Sequence, residues 1–385
     1  MRDHQVAQLN QQGPAAVELV TDNQELCSVC RQLAQTTAIG LDTEFERTRT
    51  FFPRPALIQV CAHENIWLID PLSIDDFQPF AEVLANPGIT KIVHSASEDV
   101  ELLTQLTGAL PKRLFDTQIA AGLLGYGFSL GYRKLVALFE NVELDKQETR
   151  SNWLKRPLRA AQLRYAALDV YYLPGIHRRL AQELDDSGRH HWLDEECQTL
   201  VDKQIRDDDF ELAYQRVGQA WKLEPRQLGV LRALAAWREH TARRRNRPRA
   251  HVIKDDELMA LSRTLTPATG GKDRARAIAD IKPEDAEVLV RIVDKVADLS
   301  FDQLPTPLTP PADLRAFSGQ LKTMKARVQE HAANLGMAPE LLAHRRALEH
   351  QTLHSLITKQ PGLIPFFSGW RREVIGTELL EMLNP

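Results

Sequence analysis

Four acidic residues and a tyrosine lie inside segments whose hydrophobic patterns predict buried strands and helices. Asp42 and Glu44 lie two residues apart in the strand pattern AIGLDTEF, and Tyr165 and Asp169 lie four apart in a helical pattern. Asp99 lies near the start of another helical pattern. A buried carboxylate is costly unless a positive group compensates its charge. Any fold of this chain must therefore supply such a group, and a pair of divalent cations is the simplest one.

The strand pattern around Asp42 predicts that the two nearest acids project side by side. Because side chains alternate across a strand, Ala38, Gly40, Asp42 and Glu44 share one face. The small residues on that face predict room for a ligand. The alternative is a solvated strand end at the edge of a sheet, but apolar residues on both sides of the acids argue against it.

The segment HSASEDVELL contains two adjacent acids, Glu98 and Asp99, and either could be the functional one. Ser95 and Glu98 have the three-residue spacing of a capping box, which predicts that Glu98 helps to begin a helix. Asp99 falls on the helix face that carries Leu102 and Leu103, so we expect Asp99 to point inward and to be the functional acid.

Tyr165 and Asp169 are one helical turn apart and therefore face the same way. Apolar residues share this face, so the carboxylate of Asp169 is expected to be embedded among them. A hydrogen bond between the two side chains would satisfy a core helix without any catalysis, and this segment alone does not decide between the two interpretations.

Strand and helix signals alternate over the first half of the chain and predict an α/β domain with a mixed sheet. After about residue 205 the pattern becomes purely helical, and FDQLPTPLTPP predicts a semi-rigid linker. We therefore predict a first domain over 1–204, a helical domain over 205–298, a Pro-rich linker over 299–312 and a second helical domain over 313–385.

In combination, these segments resemble the three motifs of the DEDD exonuclease superfamily, in the branch with tyrosine in the third motif. The resemblance is closest to the ribonuclease D family, and it spans nearly the whole first domain. The regions 205–298 and 313–385 look like two copies of the helical HRDC domain. The segments that match the family pattern are LDTEFERTRTFFPRPALIQV, HSASEDVELL, LFDTQIAAGLLG and RSNWLKRPLRAAQLRYAALDVYYL. The chain departs from that pattern at Asn152, where the family has an aspartate.

The resemblance implies a ribonuclease H-like exonuclease domain followed by two all-α HRDC-type domains. It places metal-binding positions on Asp42, Glu44, Asp99 and Asp169, with Asp42 bridging two ions. Magnesium suits such oxygen ligands, and manganese is the other candidate. A free phenol has a pKa near 10, so Tyr165 is expected to orient the attacking water and not to act as a strong base.

The other candidate residues each carry a structural alternative. Asp116 could support the site or cap the helix after it, and we favour the cap. Arg156 could contact phosphate or form a salt bridge. The arginine-rich segment could bind RNA or make ion pairs within its own domain. The candidate RNA-binding residues are Phe45, Gln59, His94, Arg156, Arg243, Arg244, Arg245 and Arg247.

The composition narrows the function further. The formal net charge of −4 argues against nonspecific coating of nucleic acid by the whole surface. No apolar run is long enough to span a membrane, and no complete ATP-binding P-loop is present. Together with this composition, the resemblance implies a cytoplasmic, metal-dependent 3′→5′ exoribonuclease that acts on the 3′ ends of precursor tRNA, with a monomer favoured. The alternatives are a DNA exonuclease and a noncatalytic RNA-binding protein on a nuclease fold.

Overall fold

The computed structural model describes most of the predicted domains. Residues 1–15 of the predicted first domain and residues 309–312 of the predicted linker lie outside the described part. The described residues are 16–145, 148, 151–206, 210–265, 281–308, 314–357 and 362–383.

Six strands of the first domain form one mixed sheet in the order β1-β4-β3-β2-β5-β6. The central strands β2, β3 and β4 pair antiparallel, whereas β1 pairs parallel to β4, and β2, β5 and β6 pair parallel. This confirms the predicted mixed sheet. The strands are β1 (Ala16–Val20), β2 (Ala38–Glu46), β3 (Arg54–Ala62), β4 (Asn65–Ile69), β5 (Thr90–Val93) and β6 (Leu114–Asp116).

Helices cover this sheet, so the strands are mostly apolar on both faces. Seven of the nine residues of β3 are buried, which is expected of a strand inside a layered α/β domain. The helices of this region are α1 (Asn23–Leu33), α2 (Gln78–Ala85), α3 (Ser97–Thr107), α4 (Thr117–Leu123), α5 (Tyr132–Glu140), α6 (Ala160–Tyr171), α7 (Leu173–Asp186) and α8 (His190–Arg206).

The described chain after α8 has no strand, as the sequence predicts. Its α-helices are α9 (Pro225–Arg244), α10 (Arg249–Val252), α11 (Asp255–Thr264), α12 (Pro283–Ala297), α13 (Ser318–Leu335), α14 (Pro339–Leu342), α15 (Arg345–Thr352) and α16 (Thr377–Leu383). Among the described helices, none has both the length and the apolar character needed to cross a membrane.

The described residues form two compact units. The first unit combines 16–46, 54–205 and 314–383, and the second combines 47–53 with 206–308. In the second unit, α9 is the central helix, and its residues Leu228, Leu231 and Leu234 are fully buried in a core of their own.

The C-terminal helices share the hydrophobic core of the sheet domain. The rings of Trp192 on α8 and Trp370 stack with their centroids 4.5 Å apart. The backbone N–H of Trp370 donates to Glu195, and the Arg371 guanidinium pairs with Glu196. The region after residue 313 is therefore part of one unit with the sheet domain, whereas a second HRDC-like domain there stays a prediction.

Candidate active site

Three of the predicted acids meet at the end of strand β2. Carboxylate oxygens of Asp42, Glu44 and Asp169 all lie within 4.8 Å of one another. Asp42 and Glu44 come from β2, and Asp169 comes from α6, which packs against β2, β3 and β4. The strand thus contributes two side chains from alternate positions, and the helix contributes one. Their convergence agrees with the strand and helix periodicity of the sequence.

The space above the small residues of β2 is filled by protein. A Cβ atom at Gly40 would lie 3.1 Å from the Leu173 side chain and 3.2 Å from the Val170 carbonyl oxygen. The prediction that small residues here leave room for a ligand is therefore wrong at Gly40. Glycine at this position lets the junction of α6 and α7 approach the strand.

The fourth acid reaches the site from the first turn of α3. Asp99 is buried, at 8% exposure, and the hydroxyl of Thr43 donates a hydrogen bond of 2.5 Å to its carboxylate. Asp99 lies outside the three-residue oxygen cluster, but its charge raises the pKa of Asp42. The inward orientation predicted for Asp99 is thus observed, and Thr43 is a partner that the sequence reasoning missed.

Burial raises the pKa of every acid in this group. The pKa of Asp42 lies well above its usual value, first because of burial and then because of the charges of Asp99, Asp169 and Glu44. The pKa of Glu44 rises to about 8, that of Asp169 to about 7 and that of Asp99 to about 6. Four oxygen-donor side chains with uncompensated negative charge fit divalent ions such as Mg²⁺.

These shifts predict that the metal-free protein loses stability as the pH rises. The folded protein holds the proton of Glu44 more tightly than the unfolded chain does, so this stabilisation is full below about pH 4. It is lost as the pH rises through about 8, the pKa of Glu44 in the folded protein. At pH 8.5, Glu44→Gln should raise the free energy of unfolding by on the order of 1–3 kcal/mol, measured by urea titration in chelator.

The exposed residue Glu64, in the turn between β3 and β4, offers the matched control. Glu64→Gln should leave the pH dependence unchanged, and Mg²⁺ should stabilise the wild-type protein most at high pH. A Glu44→Gln variant that is no more stable than wild type at pH 8.5 would contradict the electrostatic account.

Tyr165 lies one turn before Asp169 on α6 and is half-buried. Its hydroxyl hydrogen-bonds to the carboxylate of Asp169 and lowers the pKa of that acid, in opposition to the effect of burial. The ring of Trp153 lies 6.1 Å from the Tyr165 ring, centroid to centroid. The hydrogen bond that sequence reasoning offered as an alternative to catalysis is therefore present, and it places the phenol directly beside the acid cluster.

The predicted capping box at the start of α3 is wrong. The helix begins at Ser97 with Ala96 as its N-cap and has no side-chain cap, and Glu98 is exposed. The backbone N–H groups of Ser95 and Ala96 instead donate to the carboxylate of Asp116 on β6. An acceptor 20 residues away in the sequence thus replaces the local one.

Asp116 also caps its own helix, as we favoured from the sequence. Its side chain accepts hydrogen bonds from the backbone N–H groups of Gln118 and Ile119 at the start of α4. Its second role, at the turn before α3, has no signature in the local sequence.

The candidate RNA-binding residues of the first unit have different environments. Arg156 forms a two-armed salt bridge with the buried Asp70, with both N–O distances 2.6 Å, so the structural alternative is the one observed. Gln59 is 0% exposed, which leaves it no surface for RNA in this conformation. Phe45 and His94 are half-buried, and the Nδ1 atom of His94 lies 2.9 Å from the Thr117 hydroxyl.

The arginines of the second unit divide into two groups. Arg243 pairs with the buried Glu239 at 2.5 Å, and its guanidinium lies 4.7 Å from the Phe51 ring centroid. Arg245 makes a two-armed pair with Asp285, at 2.6 and 2.8 Å. Arg243 and Arg245 therefore form ion pairs within their own domain, which was one of the two alternatives that the sequence left open. Arg244 and Arg247 are exposed, and neither forms an ion pair with the described residues.

Comparison with known proteins shows which family this chain resembles. The model of a 3′-5′ exonuclease domain matches residues 17–185, and the HRDC domain model matches residues 227–271. The chain is 41% identical to ribonuclease D of Pseudomonas paraeruginosa over 377 residues, covering 96% of this chain and 98% of that protein. It is 37% identical to the Serratia proteamaculans ribonuclease D, covering 95% and 99%.

The similarity extends to the three-dimensional structure. The crystal structure of Escherichia coli RNase D, an exoribonuclease involved in structured RNA processing, superposes with a TM-score of 0.84 at 33% identity. The match covers 96% of this chain and 98% of that one. The similarity therefore includes the helical regions as well as the sheet domain.

Proposed function

This chain belongs to the ribonuclease D family of 3′-5′ exoribonucleases, and from that premise we propose that it trims the 3′ ends of precursor tRNA and other structured RNAs. Each cycle would release one 5′-nucleoside monophosphate. The observation that carries the proposal is the convergence of Asp42, Glu44 and Asp169, with Asp99 beside them, in a chain similar to its relatives over nearly their full length.

We propose that the four acids hold two divalent ions, Mg²⁺ in preference to Mn²⁺. Two such ions supply an activated water and stabilise the leaving oxygen of a phosphodiester. Asp42 would contribute to both ions, Glu44 and Asp169 would complete one site, and Asp99 would serve the other. The separation of Asp99 from the three-residue cluster supports this division. The raised pKa values mean that the acids must lose protons as they bind ions.

We propose that Tyr165 orients the attacking water through its hydroxyl. This hydroxyl hydrogen-bonds to the carboxylate of Asp169. A free phenol, whose pKa is near 10, is a poor base at neutral pH, but the hydroxyl is a good hydrogen-bond partner. Phe45, half-buried beside the acids on β2, would stack on the terminal base, which suits an enzyme that tolerates any sequence. His94 would line the same path.

The arginines of the second unit give a matched pair of variants. Arg244→Ala should make the salt dependence of RNA binding shallower, by a slope of about 0.7 for each phosphate that is no longer neutralised. It should change the free energy of unfolding by less than about 0.5 kcal/mol. Arg245→Ala should lower that free energy by about 1–3 kcal/mol, because it leaves the buried Asp285 without its partner. Fluorescence anisotropy with single-stranded RNA and urea unfolding measure the two effects.

The reverse pattern would contradict this assignment. If Arg245→Ala weakened RNA binding without a loss of stability, or if Arg244→Ala left binding unchanged at every salt concentration, the exposed arginines would not be the residues that bind phosphate. Arg247 would be tested in the same way.

Further proposals follow from the family and the sequence. The region 313–385 would be a divergent second HRDC-like domain beside the matched one, with domain boundaries near 204, 298 and 312. The protein would act in the cytoplasm as a monomer, and it would need no ATP. Sedimentation of the pure protein tests the monomer, since a stable dimer would double the expected mass of 43.6 kDa.

Incubation of the pure chain with 5′-labelled substrates tests the function. A tRNA with extra 3′ nucleotides and a single-stranded DNA of matched length would be compared in Mg²⁺ and in chelator. We expect stepwise shortening of the RNA from its 3′ end, release of 5′-monophosphates and no reaction in chelator. An equal rate on DNA would overturn the RNA assignment, and RNA binding without hydrolysis would favour the noncatalytic alternative.

A further inference from the structure

The carboxylate of Asp116 does more than cap a helix. This side chain is 1% exposed, and both of its oxygens accept backbone hydrogen bonds. Oδ1 accepts from Gln118 at 2.8 Å and Ile119 at 3.4 Å, which is an ordinary N-cap arrangement. Oδ1 also accepts from Ser95 at 3.1 Å, and Oδ2 accepts from Ala96 at 2.9 Å. The second pair ties the end of β6 to the turn that precedes α3.

The next residue makes a parallel set of contacts to the same turn. The hydroxyl of Thr117 donates to the Val93 carbonyl oxygen at 2.8 Å and lies 2.9 Å from Nδ1 of His94. Thr117 is 0% exposed. We call Asp116 and Thr117, with their contacts to residues 93–96, the Asp-Thr brace.

The turn that the brace contacts has an unfavourable backbone conformation and no side-chain cap of its own. Ser95 has φ of +65°, a left-handed conformation that is unfavourable for a residue with a side chain. Ala96 is 0% exposed and is the N-cap of α3, but its own side chain offers no cap. Without Asp116, the N–H of Ala96 would be buried without an acceptor, which is destabilising.

This turn sets the position of a functional acid. Asp99 lies three residues after Ala96, in the first turn of α3, so a shift of the turn moves its carboxylate directly. On its other side, Asp99 is held by the Thr43 hydroxyl of β2. The acid therefore has two anchors, one at its carboxylate and one at the backbone of the helix that carries it.

We propose that Asp116 and Thr117 are positioning residues for the reaction: the Asp-Thr brace fixes the start of α3 so that Asp99 faces Asp42 across the site. The proposal rests on the function proposed above for Asp99. It differs from a purely structural role, because it assigns to the brace an effect on turnover beyond its effect on stability.

Asp116→Asn tests the brace with a minimal change. An asparagine that keeps Oδ1 presents an NH₂ group where Oδ2 accepted the N–H of Ala96, so two donors face each other. The matched control is Asp22→Asn. Asp22 caps α1 through the backbone N–H of Glu25 and is remote in sequence from the site, so it shares the capping role of Asp116 without the brace.

Three readouts separate positioning from capping. For Asp116→Asn we expect kcat on RNA to fall by about 10- to 100-fold at nearly constant KM, and the Mg²⁺ concentration for half-maximal rate to rise about tenfold. Hydrogen exchange at the amides of residues 95–100 should become at least about tenfold faster in the metal-free protein. Asp22→Asn keeps an N-cap of similar strength, so it should keep both wild-type stability and wild-type turnover.

A second pair of variants covers the case in which Asp116→Asn folds poorly. Thr117→Val removes both hydrogen bonds of the hydroxyl and should lower kcat in the same way, whereas Thr117→Ser should restore it. The proposal is overturned if Asp116→Asn behaves like Asp22→Asn, or if exchange at 95–100 rises while kcat and the Mg²⁺ dependence do not change. Exchange in metal-free protein tests the brace even if wild type proves inactive on RNA, which would instead refute the proposed function.

Discussion

Asp42→Ala is expected to lower the turnover of RNA by about 10⁴-fold or more, because in the proposed two-ion site Asp42 is the acid that both ions would share. The charges of three neighbouring acids, Asp99, Asp169 and Glu44, all raise the pKa of Asp42. Single-turnover hydrolysis of 5′-labelled RNA at saturating Mg²⁺ measures the loss. The fold should survive, since removal of one buried acid relieves repulsion among the others.

The control for this variant is Glu98→Ala. Glu98 is the neighbour of Asp99 in the sequence, but its side chain is exposed at the surface of α3. It should keep turnover within about twofold of wild type. If Asp42→Ala retained more than a hundredth of wild-type turnover, with an unchanged circular dichroism spectrum, the metal site would not be centred on β2.

Tyr165→Phe is expected to lower kcat by about 10²–10³-fold, within the range found for residues that assist proton transfer. Because the phenol aligns the water and binds no ion in our account, Mg²⁺ affinity should change far less than kcat. A change in the pH profile should accompany the loss. The Tyr165 hydroxyl lowers the pKa of Asp169, so its removal raises that pKa further, and the rise of activity with pH should move to higher pH.

Tyr171→Phe, at the end of the same helix, is the control for this change. It removes a phenolic hydroxyl from α6 at a position outside the acid cluster, so kcat and the pH profile should match wild type. A Tyr165→Phe variant with wild-type kcat would show that the hydrogen bond to Asp169 only satisfies the helix. That interpretation was the one left open by the sequence.

The sequence predicts that the acids converge because the signals that place them are local. The period of two in β2 brings Asp42 and Glu44 to one face, and helical phase separates the inward Asp99 from the exposed Glu98. Short connections also favour antiparallel pairing of β2, β3 and β4 at the centre of the sheet. Each of these features depends on residues within one turn or one strand pair, and each is confirmed by the fold.

The failures concern partners that are distant in the sequence. The Ser95–Glu98 capping box has the correct spacing, but Asp116 supplies a better-placed acceptor from another strand. Gly40 suggests space for a ligand, but the α6–α7 junction occupies that space. The arginine-rich segment suggests a phosphate surface, but Arg243 and Arg245 compensate buried acids of their own unit. Spacing along one segment contains no information about such contacts.

The central claim is that four carboxylates hold two ions with Asp42 between them, and counting bound ions tests it most directly. Mn²⁺ gives a spectrum that distinguishes free, single and paired ions, so electron paramagnetic resonance of the pure chain with Mn²⁺ and the product 5′-AMP provides the count. We predict two coupled Mn²⁺ ions per wild-type chain and no coupled pair in Asp42→Ala. A single ion in wild type, or a coupled pair retained in Asp42→Ala, would contradict the account.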